Sequence, residues 1–288
     1  MIDRRLFIAG LPLLGAAAPD RFAPLRRAIA AIERNAGGPI GVALIDTHSG
    51  ARFTHRAQQR FPLCSTFKLL LAARLLHGAE QGRWQLDERL PIGRADMLNN
   101  APFSETRIGG SASLAELAEA MCVLSDNPAA NLALARVGGP AALTGWLRAI
   151  GDATTRLDRM EPEMNNETPG DPRDTTTPAA MLATTRALVE GRILSAAARA
   201  RLLGWMQASR TADTMIRAAL PPGWAEANKT GAGSWRARNI VSRITPPSVS
   251  GSRAPIWVAA YLFAARSELP ERNRQFVPLG RAIVDSLG

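Results

Sequence analysis

Lysine is nearly absent from this chain of 288 residues: of its 35 basic residues only Lys68 and Lys229 are lysine, and the other 33 are arginine. Where a cation merely faces water the chain uses arginine, a broad planar fork that cannot give up its proton. A compact ammonium that burial can neutralise is kept for two positions, so those two are where arginine would not serve. Tyrosine occurs once and aromatic residues make up 5% of the chain. Little is therefore available for stacking bases, and the arginines are scattered rather than clustered, so the formal charge of +10 does not mark a nucleic-acid binder. It describes a solvated basic surface whose field favours anionic ligands. Three histidines, His48, His55 and His77, and two cysteines, Cys64 and Cys122, show no zinc-ligand spacing, so neither a metal nor another cofactor is expected. The cysteines allow at most one disulfide, and free buried thiols are the expected state. No apolar run reaches the roughly 18 residues that a membrane-spanning helix needs, and no internal repeat or low-complexity segment is visible.

What is present suits a folded protein. With 46% hydrophobic and 21% charged residues, the chain can bury a sizeable core as one large or two small domains. The N-terminus pairs Arg4-Arg5 with a short apolar run ending in Ala16-Ala17-Ala18 before Pro19. That pattern predicts a removable export signal over residues 1–18, of the twin-arginine type that delivers folded cargo to the periplasm. Cutting after Ala18 removes Arg4, Arg5 and Asp3 and lowers the formal charge from +10 to +9. Beyond it, Phe22, Leu25, Ile29 and Ile32 repeat at helical spacing. Residues 40–45 and 51–55 read as a strand pair around the turn at 46–50. Residues 65–207 read as helices, at 65–77, from the capping box Ser113-Leu114-Ala115-Glu116, and at 131–137, 141–150, 178–190 and 196–208. Strand patterns return at 225–231, 239–244 and 256–263, followed by a closing amphipathic helix. The expected fold class is α/β (α+β): one sheet built from both chain ends with flanking helices, carrying an inserted all-helical domain. The expected boundaries are 19–63 and 208–288 for the sheet domain and 64–207 for the helical one, with a cleft between them. The polar stretch 157–177 is too long for an idle connection and is expected to be functional. Arg159 and Asp174, near its two ends, can close it with an ion pair.

Both lysines lie in motifs with chemical potential. Ser65 and Lys68 are three apart at a helix start, so they share a face. A serine hydroxyl needs a neighbouring base to become a nucleophile, and a desolvated lysine can be that base. Equally, Lys68 can be the partner of a buried acid. Ser125-Asp126-Asn127 follows the helix opened at Ser113 and by itself reads as a turn or cap. In the polar loop, Glu161 and Asn165 are four apart and can hold a water between them; Pro162 directly after Glu161 admits a cis bond that would turn the carboxylate into the cleft. Lys229-Thr230-Gly231 falls in a strand, where Gly231 permits close approach of a ligand.

In that order, Ser-x-x-Lys, Ser-Asp-Asn, Glu-x-x-x-Asn and Lys-Thr-Gly resemble the motif set of class A serine β-lactamases. The stretches Asp126–Asn131, Leu157–Glu163 and Pro169–Pro178 look like the same family, and the likeness covers roughly residues 20–288. The resemblance implies the antiparallel fold shared with penicillin-binding proteins and a monomer acting on a small β-lactam without cofactor, nucleic acid or membrane anchor. It implies that Ser65 attacks the lactam carbonyl, with the N–H groups of Ser65 and Ala232 as oxyanion hole. Lys68 and Glu161 are rival acylation bases, Ser125 relays a proton to the leaving nitrogen, and Lys229 keeps that region positive. Thr230 and Arg238 would hold the substrate carboxylate, beside Gly231, and Asn127 would bind the side-chain amide. Glu161 and Asn165 would aim the deacylating water.

The chain departs from the family pattern at three points. Asn100 replaces an aromatic residue that many members carry beside the cleft. Cys64 occupies a position used for a cleft disulfide in some members, but its expected partner position holds Gly233. Cys122 is not at the other common disulfide position. Two further readings stay open: a D-alanyl-D-alanine carboxypeptidase or penicillin-binding protein, which shares two of the motifs but lacks the Glu161 loop, and a non-hydrolytic β-lactam receptor that remains acylated.

Overall fold

The computed structural model describes residues 20–165, 167–247 and 254–287; the expected export signal lies outside them. Helix α1 (Ala23–Ala36) buries Leu25, Ile29, Ile32 and Ala36 along one stripe and stops at Gly37, whose φ of 64° is the left-handed cap that glycine favours. Strands β1 (Ile40–Asp46) and β2 (Arg52–His55) form the expected hairpin, and a two-residue strand β3 (Phe61–Pro62) leads into the middle of the chain. There follow α2 (Phe67–Glu80), β4 (Arg89–Pro91), β5 (Ser111–Ser113), α3 (Leu114–Val123), α4 (Asn127–Arg136), α5 (Gly139–Ala149), β6 (Thr175–Thr176), α6 (Pro178–Glu190) and α7 (Ala196–Ala208). Three long strands, β7 (Ala225–Ala232), β8 (Ala237–Thr245) and β9 (Ile256–Phe263), then complete the sheet, and α8 (Leu269–Arg274) and α9 (Phe276–Asp285) close the chain.

The sheet runs β2-β1-β9-β8-β7, with every neighbouring pair antiparallel. Its two chain ends meet where β1 pairs with β9 along its whole length, Ile40 opposite Leu262 and Asp46 opposite Ile256. Both faces are covered, which is why β1 and β9 read as near-continuous apolar runs rather than alternating ones. On the outer face Val42, Leu44, Ile240, Val258 and Leu262 pack with Leu25 and Ile29 of α1 and Leu279 and Ile283 of α9. On the inner face Ala43, Ile45, Val241, Trp257 and Tyr261 share one core with the helices of the middle segment. Each fully buried Leu, Ile or Val in these cores contributes about 1.5–3 kcal/mol relative to exposure.

At the centre of the helical body lies α2, apolar on every side and buried from Phe67 to Leu76. A helix without a polar face belongs in a core. It carries Lys68 in with it. The helical insertion is not all-helical, as the hydropathy pattern suggested: β4 pairs with β5, and β6 pairs with β3. These ladders are two or three residues long, too short for a period-2 pattern to register. The long polar loop is tied at its ends by the expected ion pair, Arg159 Nε to Asp174 Oδ2 at 2.5 Å. Asp174 Oδ1 also accepts from the N–H groups of Asp158 and Arg159, and Asp158 Oδ2 from that of Asp174.

Candidate active site

The nucleophile candidate sits on a turn that the sheet grips from three strands. Cys64–Thr66 is a 3-10 turn ahead of α2, so the helix starts two residues later than the pattern suggested. Cys64 takes the left-handed conformation, φ 44°, which costs roughly 1–2 kcal/mol for a residue with a side chain. Asn239 of β8 donates to the carbonyls of Pro62 at 2.8 Å and Leu63 at 3.2 Å, and Thr66 Oγ1 lies 2.9 Å from the Tyr261 hydroxyl of β9. On β7, Gly231 comes so near that a Cβ there would lie 2.9 Å from Leu63 O and 3.2 Å from Ser65 N. The glycine of Lys-Thr-Gly thus admits the turn that carries Ser65, whereas the sequence suggested room for a ligand. It also brings the β7 end at Ala232 beside the backbone N–H of Ser65.

Lys68 is wholly buried. Its Nζ donates to the Ser125 carbonyl at 2.8 Å and to Asn127 Oδ1, and lies 3.2 Å from Glu161 Oε1. Burial pushes its pKa below the ordinary lysine value, and the Glu161 carboxylate pulls the other way. Ser125 is held left-handed, φ 61°, with its carbonyl accepting also from Asn100 Nδ2 at 2.7 Å. The middle residue of Ser-Asp-Asn is structural: Asp126, fully buried, caps α4 through Ala129 N and accepts from Phe103 N, Ser104 N and Ser104 Oγ. Asn127 spends both ends of its amide on the protein, its Nδ2 donating to Asn99 O at 2.8 Å.

Glu161 precedes a cis peptide bond to Pro162. Its backbone is clamped by Asn131 of α4, whose Nδ2 donates to Glu161 O at 2.8 Å while Oδ1 accepts from Glu161 N at 3.0 Å. Asn165, on a 3-10 turn at Glu163–Asn165, donates to Glu161 Oε2 at 2.5 Å. Among the described residues two neighbouring buried acceptors have no hydrogen-bond donor: Asn165 Oδ1, and Glu161 Oε1, which faces the Lys68 ammonium at 3.2 Å as an ion pair.

Lys229, equally buried, donates to Ser125 Oγ at 3.1 Å and to Thr230 O at 2.9 Å. Burial first, and then the charge of Lys68, bring its pKa down to about 7. The two lysines thus approach Ser125 from opposite sides, one at its carbonyl and one at its hydroxyl. Thr230 Oγ1 donates to Thr211 Oγ1 at 2.7 Å. Arg238 lies under this strand end, 4% exposed, and donates to Gly231 O, Thr211 O, Met215 Sδ and Asn273 Oδ1. Burial and Arg272 lower its pKa to about 9.

All eleven residues singled out from the sequence therefore line one region. The supporting residues Thr211, Asn239 and Tyr261 carried no signal of their own, because each acts through a partner at least 19 positions away, and Asn131 stood only at the end of a stretch that resembles the family. Cys64 and Cys122 are free and buried, and burial raises both thiol pKa values, so neither is a reactive thiolate.

Known proteins are similar to this chain over most of its length. The profile of the β-lactamase enzyme family matches residues 24–286. β-Lactamase L2 of Stenotrophomonas maltophilia is 44% identical over 258 residues, 90% of this chain and 84% of that protein. Among solved structures, a β-lactamase from Xanthomonas campestris pv. campestris is 44% identical with a TM-score of 0.89, covering 94% of this chain and 100% of its own. The reconstructed class A β-lactamase of the last common ancestor of Gram-negative bacteria is 46% identical with a TM-score of 0.88, covering 92% and 100%. The chain belongs to the β-lactamase family, among the enzymes of class A.

Proposed function

We propose that the protein hydrolyses the ring of β-lactam antibiotics, and so confers resistance to them, through an ester formed on Ser65. In this reading Ser65 attacks the lactam carbonyl once its proton passes to neutral Lys68, or through a water to Glu161. The N–H groups of Ser65 and Ala232 hold the oxyanion. Ser125, whose Oγ accepts from Lys229, passes a proton to the departing nitrogen, and Thr230 with the positive field of Lys229 and Arg238 holds the substrate carboxylate. Asn127 keeps Lys68 in place and faces the substrate amide. A water held by Glu161 Oε1 and Asn165 Oδ1 then frees the enzyme. The observation that carries the proposal is this pair of buried acceptors on the polar loop, Asn165 Oδ1 without a donor among the described residues and Glu161 Oε1 facing the Lys68 ammonium. A receptor that stays acylated has no use for a hydrolytic water site.

Incubation with a chromogenic cephalosporin tests the reading. Steady turnover, abolished by Ser65→Ala and untouched by a chelator, is expected. A single stoichiometric burst would favour the carboxypeptidase or receptor, and loss of activity on chelation would overturn the serine mechanism.

The paired arginines and small-residue cut site support export to the periplasm. Periplasmic protein is expected to lack residues 1–18 by intact mass; an intact Met1 terminus would count against it. Among the described residues no helix is long and apolar enough to cross a membrane.

A further inference from the structure

Six residues beyond Glu161, the polar loop makes a second contact that none of the motifs contains. The Glu167 carboxylate accepts from three consecutive backbone N–H groups of the turn between β7 and β8. Oε2 lies 2.9 Å from Trp235 N, Oε1 lies 3.0 Å and Oε2 3.1 Å from Arg236 N, and Oε1 lies 2.6 Å from Ala237 N. Successive N–H groups pointing inward make a concave anion site, and here the anion is the protein's own. The carbonyl side of the same turn is held by Arg272 of α8, 3% exposed, which donates to Gly233 O at 2.9 Å and Ala237 O at 2.7 Å. The turn's large side chains look elsewhere: the guanidinium of Arg266 lies 4.1 Å from the Trp235 ring centroid, and that of Arg236 lies 4.8 Å from the Phe263 centroid. Gly233 completes the fit, since a Cβ there would lie 2.0 Å from Glu167 Oε1. Farther along the loop, a cavity of about 240 Å³ is lined by Pro169 and Pro172 together with Phe61, Pro62 and Phe263.

We propose that Glu167 is a positioning residue that locks the loop carrying Glu161 to the strand end carrying Ala232, and so sets the separation of the hydrolytic carboxylate from the oxyanion donors. The argument is geometric. Glu161 and Ala232 belong to segments 71 positions apart in the chain. The Glu167 carboxylate spans from the one to the turn that directly follows the other. Charge-assisted hydrogen bonds are roughly twice as strong as neutral ones, so this is a firm link between the two segments. Without it both segments keep their folds, held by Asn131 and Asp174 on one side and by Arg272 on the other, but lose their relative register.

This inference rests on the ester mechanism above, and one arm of its test does not. Glu167→Ala should lower the single-turnover acylation and deacylation constants on the order of 10–100-fold, the scale of a misplacement of about 1 Å. The fraction of enzyme that forms the ester should stay that of the parent. Glu167→Gln, which keeps one acceptor oxygen, should fall between. Gly233→Ala should reproduce the alanine effect by evicting the carboxylate, and the double variant should be no worse than the poorer single one. Amide hydrogen exchange at Trp235, Arg236 and Ala237, read on the free protein, should accelerate in Glu167→Ala whatever the chemistry. Unchanged protection of those amides would overturn the link itself. Rate constants within about twofold of the parent would overturn its positioning role, as would a loss confined to the fraction of active enzyme. A parent that forms no ester on Ser65 would instead overturn the mechanism and leave the exchange result to decide the link.

Discussion

With Glu161 replaced by alanine, the enzyme is expected to stall as an ester. An acyl-serine persists unless a water is both placed and deprotonated, and the general base alone accounts for roughly 10²–10⁴-fold in rate. In this site the proposed base and the amide proposed to share its water are joined directly, Asn165 donating to Glu161 Oε2 at 2.5 Å. The backbone of Glu161 is fixed separately by Asn131, so the truncation removes the carboxylate without releasing the loop. Intact-protein mass spectrometry should show one β-lactam held on Ser65 for long after mixing, with deacylation slowed far more than acylation. Turnover at the parental rate would reduce the loop to a structural part and return weight to the receptor and carboxypeptidase readings.

Exchanging either lysine for arginine is expected to be harmful in two different ways. At Lys68 the ammonium is wholly buried among Ser125 O, Asn127 Oδ1 and Glu161. A guanidinium is too broad for that pocket and cannot accept a proton, so acylation should fall by roughly 10²–10⁴-fold. Acylation at the parental rate in Lys68→Arg would remove Lys68 from the chemistry. At Lys229 the need is for charge rather than for a base, so Lys229→Arg should keep part of the activity. Its pKa near 7 makes the sign of the pH effect definite. The lysine is charged below that value and loses its charge as pH rises through it, so parental kcat/KM should decline on the alkaline side. Arginine does not titrate in that range, and the variant's alkaline side should be flatter. An identical alkaline decline in both proteins would assign it to another group.

Much of the fold was legible because burial writes itself into periodicity. The stripe of Leu25, Ile29 and Ile32, the capping box at Ser113 and Glu116, and helices α6 and α7 all fall where the pattern put them. The ladders β3–β6 and β4–β5 did not, because two or three residues held by distant partners leave no period to see. At the site, Ser65 with Lys68 and Glu161 with Asn165 were visible because their spacing is set within one turn of helix or loop, whereas Ser125, Asn127, Ala232 and Arg238 were singled out by the family resemblance. Glu167 was not. It stands among other acids and amides of a polar loop, and nothing local separates it from a solvated carboxylate.

The sequence by itself determined which groups this protein can use: two lysines where arginine cannot serve, a serine one helical turn ahead of the first, and a glutamate four residues before an amide. These depend on side-chain identity and short-range geometry, which the chain carries locally. Only the tertiary structure decided what each group feels. Lys68 is dry because α2 is apolar on all sides and sits at the centre of a core. Lys229 is brought to about 7 because the fold buries it and, second, sets it near the charge of that same lysine. Gly231 is required because the nucleophile turn, more than 160 positions earlier, passes within van der Waals distance of it. Desolvation and charge proximity fall off over a few ångströms of space, and positions along a chain do not measure that distance.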